Sequence, residues 1–434
     1  MNNSNDYQTK NDKAWLKLFT ELNILQEIEK NNEFIITAQQ IKSISGREPR
    51  LMAKFDHSEN LPKLFRENQL AILPITRGSY VISNLEAYHN FEEEENSINR
   101  FSLPDYIQSI NVDNIFSETI ALNCAFAAGI IDDFLDETNL QPTVSGRMKS
   151  GRFNFNIHNT RSKTLHNINV NNAQIEIDAA YEGANSLTIF EAKNDLSTDF
   201  LVRQLFYPFS TWRNTITKPV RSVYIVYSNG IFRLYEYGFE IPDDYNSIKL
   251  LKSKRYSVEN TDISLDDIQT LDIKIVPEPQ DIPFPQADDF NRIINLCELL
   301  NENQQLTRND VTENYAFNVR QTNYYTDAAR YLGLIEKGRD EGDVVYKLTN
   351  QGKRILSLKY KARQLEFSKL ILQHEAFNTT FQQCMEIGAM PAKTQIVNNL
   401  RFSNPQIESD STLERRSSTI RAWLEWILQT VNRE

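Results

Sequence analysis

Residues 173–193 read AQIEIDAAYEGANSLTIFEAK, and the pattern in them decides how the middle of the chain is built. AQIEIDAA (173–180) and LTIFEAK (187–193) are short apolar runs with alternation, which predicts two β-strands joined by the turn YEGANS. On a strand, residues two apart share a face. Glu191 and Lys193 therefore point together, while Phe190 and Ala192 face the other way into the core. Asp178, thirteen residues before Glu191, is brought beside it if the strands are neighbours. Two carboxylates and one ammonium then surround a single point. Burying such charges costs several kcal/mol unless they are paired or bind a metal. The competing reading is an exposed cross-strand ion pair on an amphipathic hairpin.

Outward from this pair, the α/β pattern extends from Phe101 to about Val276. A helix is expected around Glu118 to Phe134, then strands at 222–228 and 231–237, with a helix at about 196–213 before them. Asn229-Gly230 between two apolar runs predicts a tight hairpin. Residues 141–170 hold Arg147, Lys149, Arg152, Arg161 and Lys163 but no Asp or Glu, a local inversion in a chain of net charge −11. Such a segment suits contact with phosphates or a groove, because binding follows the local distribution of cations; a solvated loop is the plain alternative.

Flanking this core, residues 12–85 predict a helical unit ending in a hairpin at Arg77-Gly78. Within it a helix starts at Trp15, a second is capped by Thr37, and a basic helix runs through Arg50, Lys54, Lys63 and Arg66 with a break near His57. The acidic run Glu92–Glu95 reads as a solvated linker, and PEPQDIPFP (277–285), with four prolines, as an extended semi-rigid one. Beyond it, a helix from Phe290, a short helix capped at Thr307, the segment VRQTNYYTDAARYLGLI and a strand–turn–strand predict a second helix-turn-helix unit with a wing. A helical tail follows. The expected division is 1–95 winged-helix-like, 100–276 α/β core, 277–287 linker, and 288–434 winged helix with tail.

Composition narrows the classes. At 434 residues with 40% apolar and 24% charged side chains, the chain suits two or three globular domains. No stretch approaches the roughly 18–20 apolar residues of a membrane helix. The N-terminal MNNSNDYQTKNDK lacks the apolar core of a secretory signal. Cys124, Cys297 and Cys384 are scattered without CxxC spacing, so neither a disulfide framework nor a zinc site is expected, and a reducing, cytoplasmic setting is. His57, His89, His158, His166 and His374 form no HExxH or HxH pair and are expected on surfaces or loops. No P-loop and no GxSxG elbow is present. The acid pair suits Mg²⁺, a hard cation held through one or two carboxylates. Lys193 can orient an attacking water, assist its deprotonation or offset phosphate charge.

With Asp178 followed by Glu191-Ala192-Lys193 on adjacent predicted strands, residues 100–240 resemble the PD-(D/E)XK nuclease superfamily, and within it type II restriction endonucleases. The resemblance implies a mixed-sheet α/β core in which Asp178 and Glu191 hold Mg²⁺ and Lys193 assists. It also assigns Glu118 as the acid of the preceding helix and Gln204 as the glutamine of the following one. Plain surface positions are the alternatives for both. Ile177 stands where the motif has proline, and Glu176 shares the face of Asp178 as a rival for the metal. Further implications are duplex DNA as substrate, 5′-phosphate and 3′-hydroxyl products, a homodimer, and a companion DNA methyltransferase. The winged helices are then base readers through Asn318, Arg320, Gln321, Asn323 and Tyr324 in one, and Arg47, Arg50 and Lys54 in the other. A repair or mobile-element nuclease with the same core, or a non-catalytic winged-helix regulator, are the alternatives.

Overall fold

The computed structural model describes residues 8–92, 97–113, 115, 117–315 and 317–431. It is a mixed α/β protein organised around a seven-stranded mixed sheet. The strand order is Ile98–Arg100, Ile248–Ser257, Ile231–Phe239, Val220–Ser228, Leu187–Lys193, Gln174–Glu182 and Gln141–Lys149. Leu187–Lys193 and Val220–Ser228 run parallel, joined by a crossover that contains the helix Arg203–Arg213. Asn229 and Gly230, with φ of 53° and 77°, close the next hairpin, as the left-handed geometry of a two-residue turn requires. A Cβ on Gly230 would also meet Glu259, Arg363 and Tyr360 side chains at 3.0–3.2 Å.

The sheet is covered on both faces. Helices Glu118–Ala127 and Ile130–Leu135, separated by Gly129, pack with Phe190, Ala192, Val223 and Ile225 on one side. On the other lie Leu187, Ile189 and Tyr224, under the helix Arg203–Arg213 and an antiparallel ribbon, Arg152–His158 with Leu165–Asn171. The strand Leu187–Lys193 is buried at every position, so Glu191 and Lys193 also point into the protein rather than to water. That excludes the exposed ion-pair reading. The expected helix at 196–213 begins later, because Asp199–Leu201 forms a short strand against Tyr88–Asn90.

The N-terminal unit holds helices Lys10–Glu21, Ile24–Asn31 and Ala38–Ser45 beside a three-stranded sheet of Phe34–Thr37, Ser79–Ser83 and Ala71–Thr76. Thr37 caps its helix reciprocally with Gln40. One expectation is corrected: the first helix breaks at Asn23, which adopts φ 50°. The basic helix is interrupted near His57 as expected, into two five-residue helices, Pro49–Ala53 and Lys63–Glu67, flanking a 3₁₀ turn at Ser58–Asn60. Of the acidic run, Glu92 accepts a bond from Tyr237 Oη at 2.9 Å, whereas Glu93, Glu94 and Glu95 lie outside the described residues.

After the core, residues 277–285 carry no regular structure but are tied down, unlike a free spacer. Glu278 accepts from Tyr331 Oη at 2.5 Å, and the buried Phe284 stacks on Phe377. Helices Phe290–Asn303, Arg308–Asn314 and Val319–Tyr331 precede the hairpin Ile335–Asp340/Asp343–Leu348, and Asn350–Leu356 follows it. Helices Tyr360–Leu372, Glu375–Ile387, Lys393–Ser403 and Asp410–Thr430 share one core with this unit, centred on Trp423 and Phe377. Cys124, Cys297 and Cys384 are free and buried. Among the described residues, no helix is long and apolar enough to cross a membrane.

Candidate active site

Antiparallel pairing of Gln174–Glu182 with Leu187–Lys193 ends where Phe190 meets Ala179, which leaves Asp178 and Glu191 on neighbouring strands just past the end of the ladder. The Ala192 N–H donates to Asp178 Oδ2 at 2.7 Å, which ties the carboxylate to the neighbouring strand. Lys193 Nζ donates to Glu191 Oε1 at 2.5 Å and to the Ala192 carbonyl at 3.2 Å. Gln204, in the first turn of the crossover helix, donates from Nε2 to the same Glu191 oxygen at 2.5 Å. Glu118 opens the helix on the facing side, after the N-cap Ser117. The five residues expected to carry chemistry thus lie together.

Their electrostatics favour binding of positive charge. Burial, with the nearby Glu191 and Asp195 charges, lifts Glu118 to about 7 against the pull of Lys193. Burial likewise raises Glu191 to about 7, assisted by Asp178 and opposed by Lys193. Asp178 is also raised by burial, although Lys193 and the Ala192 N–H oppose the shift. For Lys193 burial acts downward but is outweighed by Glu191, Tyr224, Asp56 and Glu118, so the ammonium is held well above its ordinary value. Three acids competing for one ammonium leave negative charge under-compensated.

A divalent cation suits that deficit. Asp178 and Glu191 supply hard oxygen donors, and Gln204 Oε1 is a buried oxygen without a protein partner. Among the described residues, no group of three His, Cys, Asp or Glu converges as a closed metal cage would need. Mg²⁺ needs no such cage, since it keeps most of its water and takes one or two carboxylates. The donor set therefore fits Mg²⁺.

Around this centre opens a cleft of about 630 Å³. The sheet and crossover helix form one wall, the N-terminal unit a second through Arg50, Lys54 and Tyr80, and the helix Phe290–Asn303 a third. Glu176, read as a rival metal ligand, is instead bound by Arg147 at 3.1 Å and Arg50 at 3.3 Å on the cleft rim.

A second layer of charge overturns the expectation for His57. His57 is not a surface residue but 3% exposed, between Asp195 Oδ2 at 2.8 Å and the Asp199 carbonyl at 2.7 Å. Burial opposes its protonation, but Asp195 and the Asp199 carbonyl prevail and raise its pKa. Asp195 and Asp56 are lowered despite burial, Asp195 mainly by His57, and Asp56 mainly by Lys193 with Lys54 and His57. Asp195 lies two positions beyond Lys193, a spacing that was the available signal for this layer.

The expected DNA contacts divide. Arg50, Lys54 and Arg147 lie at the cleft or its rim; Lys149, Arg152, Arg161 and Lys163 are exposed on the edge strand, ribbon and ribbon turn. Arg47 turns away from the cleft to Glu313 at 3.3 Å. In the helix expected to read bases, Asn318 and Gln321 cap each other, and Asn318 Nδ2 donates to Glu59 at 2.7 Å. Both are engaged by local structure, and Asn318 also by the N-terminal unit. Arg320 lies over the Tyr324 ring at 5.4 Å and donates to its hydroxyl; Asn323 is half-buried.

Three family models match the chain in succession. They are the domain of unknown function DUF6996 over residues 12–82, the domain of unknown function DUF6997 over 83–257, and the domain of unknown function DUF7226 over 292–432. No curated protein and no solved structure matches.

Proposed function

We propose that the chain is a Mg²⁺-dependent endonuclease of the PD-(D/E)XK type, hydrolysing phosphodiester bonds in duplex DNA as type II restriction enzymes do. The observation that carries the reading is the convergence of Asp178, Glu191 and Lys193 at a cleft, with Gln204 bonded to Glu191 and Glu118 facing them.

Asp178 and Glu191 would hold the cation, which when bound lowers the pKa of water and offsets charge on the phosphate. Lys193 stays protonated in this acidic surrounding, so its part is to attract the scissile phosphate and orient water. Gln204 and Lys193 share one oxygen of Glu191, which fixes that carboxylate's rotamer and leaves its other oxygen for a ligand. Glu118, with a pKa of about 7, can hold or release a proton near neutrality, as a group handling the leaving oxygen or an ordered water would. Arg50 and Lys54 supply positive charge toward the substrate backbone.

The units on either side are read as winged helices that grip DNA. One such core cuts one strand, so a homodimer is expected for double-strand cleavage, and a methyltransferase partner follows from the restriction reading. The test is digestion of a sequenced, unmethylated phage genome with Mg²⁺, mapping the ends, with Asp178→Ala and Lys193→Ala alongside. Ends at one short sequence, absent from both variants, are the expected result. Ends at branches or flaps assign the repair reading instead. Binding without cleavage by the wild type assigns the regulator reading.

A further inference from the structure

The ribbon between the edge strand and the Asp178 strand is built against its own composition. Asparagine is depleted from strands, yet Asn154, Asn156, Asn167, Asn169 and Asn171 occupy alternate positions of Arg152–His158 and Leu165–Asn171. Register pairs Arg152 with Asn171, Asn154 with Asn169, and Asn156 with Asn167. All six side chains therefore share one face, exposed except for the half-buried Asn156. The opposite face is apolar: Phe155, Ile157, Ile168 and Val170 are buried, and the Phe155 ring lies 5.0 Å from Phe206 and 5.8 Å from Tyr207. Breaking a local rule on one face while packing the other well marks a surface retained for contact.

The chemistry of that face is specific. Asn167 Nδ2 donates to Asn156 Oδ1 at 3.0 Å and Arg152 Nε to Asn171 Oδ1 at 3.1 Å, which aligns the amides across the ribbon. Each amide has two N–H donors and an oxygen with two lone pairs, so donors and acceptors remain. Arg152 stands at one end, and Arg161 and Lys163 in the turn at the other. Of the nearby carboxylates, Glu86 and Glu33 are engaged by His158 and His166, and Asp243 and Asp244, beside Asn156, by Arg213 and the Asn246 N–H.

We propose that this asparagine face enters the major groove of duplex DNA and reads A·T pairs. A two-stranded ribbon fits a groove about 12 Å wide, and the amide of Asn matches the N6 and N7 edge of adenine. The end cations meet flanking phosphates. The ribbon leaves the sheet at the cleft: Ser150 N–H bonds the Ala173 carbonyl at 2.9 Å, Gln174 lines the cleft, and Asn171 lies at most roughly 23 Å from Asp178 along the chain. Its inner face packs on the helix that carries Gln204, so base contact bears mechanically on the catalytic side. The choice of duplex DNA as occupant rests on the nuclease reading of the cleft.

The experiment uses the full-length chain as Asp178→Ala, incubated with a random duplex library whose bound members are sequenced, with and without Asn154→Thr, Asn156→Thr, Asn167→Thr and Asn169→Thr together. The parent should enrich a motif containing A·T pairs. The quadruple variant should lose it, with discrimination falling about 5- to 150-fold per position read, while affinity for unselected duplex changes little. Enrichment of the same motif by both overturns the proposal, as does enrichment from an RNA library alone. If the quadruple variant melts early, Asn154→Thr with Asn169→Thr carries the same comparison. Cleavage separates the two readings. Wild type that cuts nothing, with the library motif still lost on substitution, removes the nuclease reading and keeps the ribbon. Asp178-competent quadruple variant that cuts the wild-type sites removes the ribbon and keeps the nuclease.

Discussion

The N-terminal unit and the segment 290–356 follow one local plan and use it differently. In each, a short strand runs into a helix capped reciprocally by threonine, Thr37 with Gln40 and Thr307 with Asp310, and a hairpin closes a three-stranded sheet. After the capped helix, the N-terminal unit turns Arg50, Lys54 and His57 toward the cleft. The corresponding stretch of the second unit turns toward the first: Asn60 donates to the Thr312 and Tyr315 carbonyls, Asn318 to Glu59, and Arg47 to Glu313. Equal local order therefore does not imply equal roles. One unit contributes cations and His57 to the candidate site, and the other lines it through Leu299, Glu302, Asn303 and Tyr315 while also bracing the first.

The largest effect tests the candidate catalytic cluster on which both units open. Asp178→Asn or Lys193→Ala should reduce Mg²⁺-dependent cleavage on the order of a thousandfold, read from single-turnover rates. Asp178→Asn should leave the melting temperature unchanged or higher, because a carboxylate with a raised native pKa costs stability at neutral pH. A cleavage rate within tenfold of wild type would remove Asp178 from the site.

Next in size is the joint between the first unit and the core. His57→Ala leaves Asp195 without its buried partner and should cost about 3 kcal/mol in urea unfolding. The contrasting change, Glu313→Gln on the second unit, loses a partly buried pair and should cost about 1 kcal/mol. Reversed sizes would mean that the Arg47–Glu313 contact between the units outweighs the His57–Asp195 contact with the core.

Stability against pH sharpens the same contrast. Glu118 has its pKa raised from 4.5 to about 7, so its charge destabilises the fold progressively as pH rises from 4.5 and fully above about 7. His57 works in the opposite sense: raised in the native state, it stabilises below its unfolded pKa, and this contribution is lost as pH rises through the native one. Both make wild type less stable on moving from mildly acidic to alkaline solution. Glu118→Gln should flatten the acidic part of the melting-temperature profile, and His57→Ala the part above it. A profile unchanged in both variants excludes these groups as its source.

The smallest effects concern DNA affinity. Arg50→Gln with Lys54→Gln should lower duplex binding a few-fold and reduce the salt slope by roughly two. Arg320→Gln, on the second unit, should change it less than about twofold, since that side chain lies along Tyr324 on a helix whose start is capped and covered. A greater loss from Arg320→Gln would return base reading to the second unit.

How much of this was legible depends on sequence distance. Alternation over 173–193 predicts two strands, and period two puts Glu191 beside Lys193, because strand geometry is a property of consecutive residues. The caps Thr37 and Thr307 and the Asn229-Gly230 turn are equally local and stand where the residues predict them. Glu118 and Gln204 were reached only through family resemblance, since nothing in their own segments points at Glu191. The asparagines at alternate positions 154, 156, 167, 169 and 171 were visible, but strand propensity argues against a strand there. Burial of the aromatic face overrode it.

His57 shows the limit most clearly. Its partner carbonyl lies 142 positions away, and no periodicity in either segment encodes the contact. Chain order is enough to specify hydrogen-bonded strands, caps and tight turns, because their partners are neighbours and their energies are short-ranged. Which of two similar units faces the cleft, which cations remain free for a ligand and which acids are driven up by burial depend on packing between distant segments. Desolvation and charge pairing exist only once those segments have met.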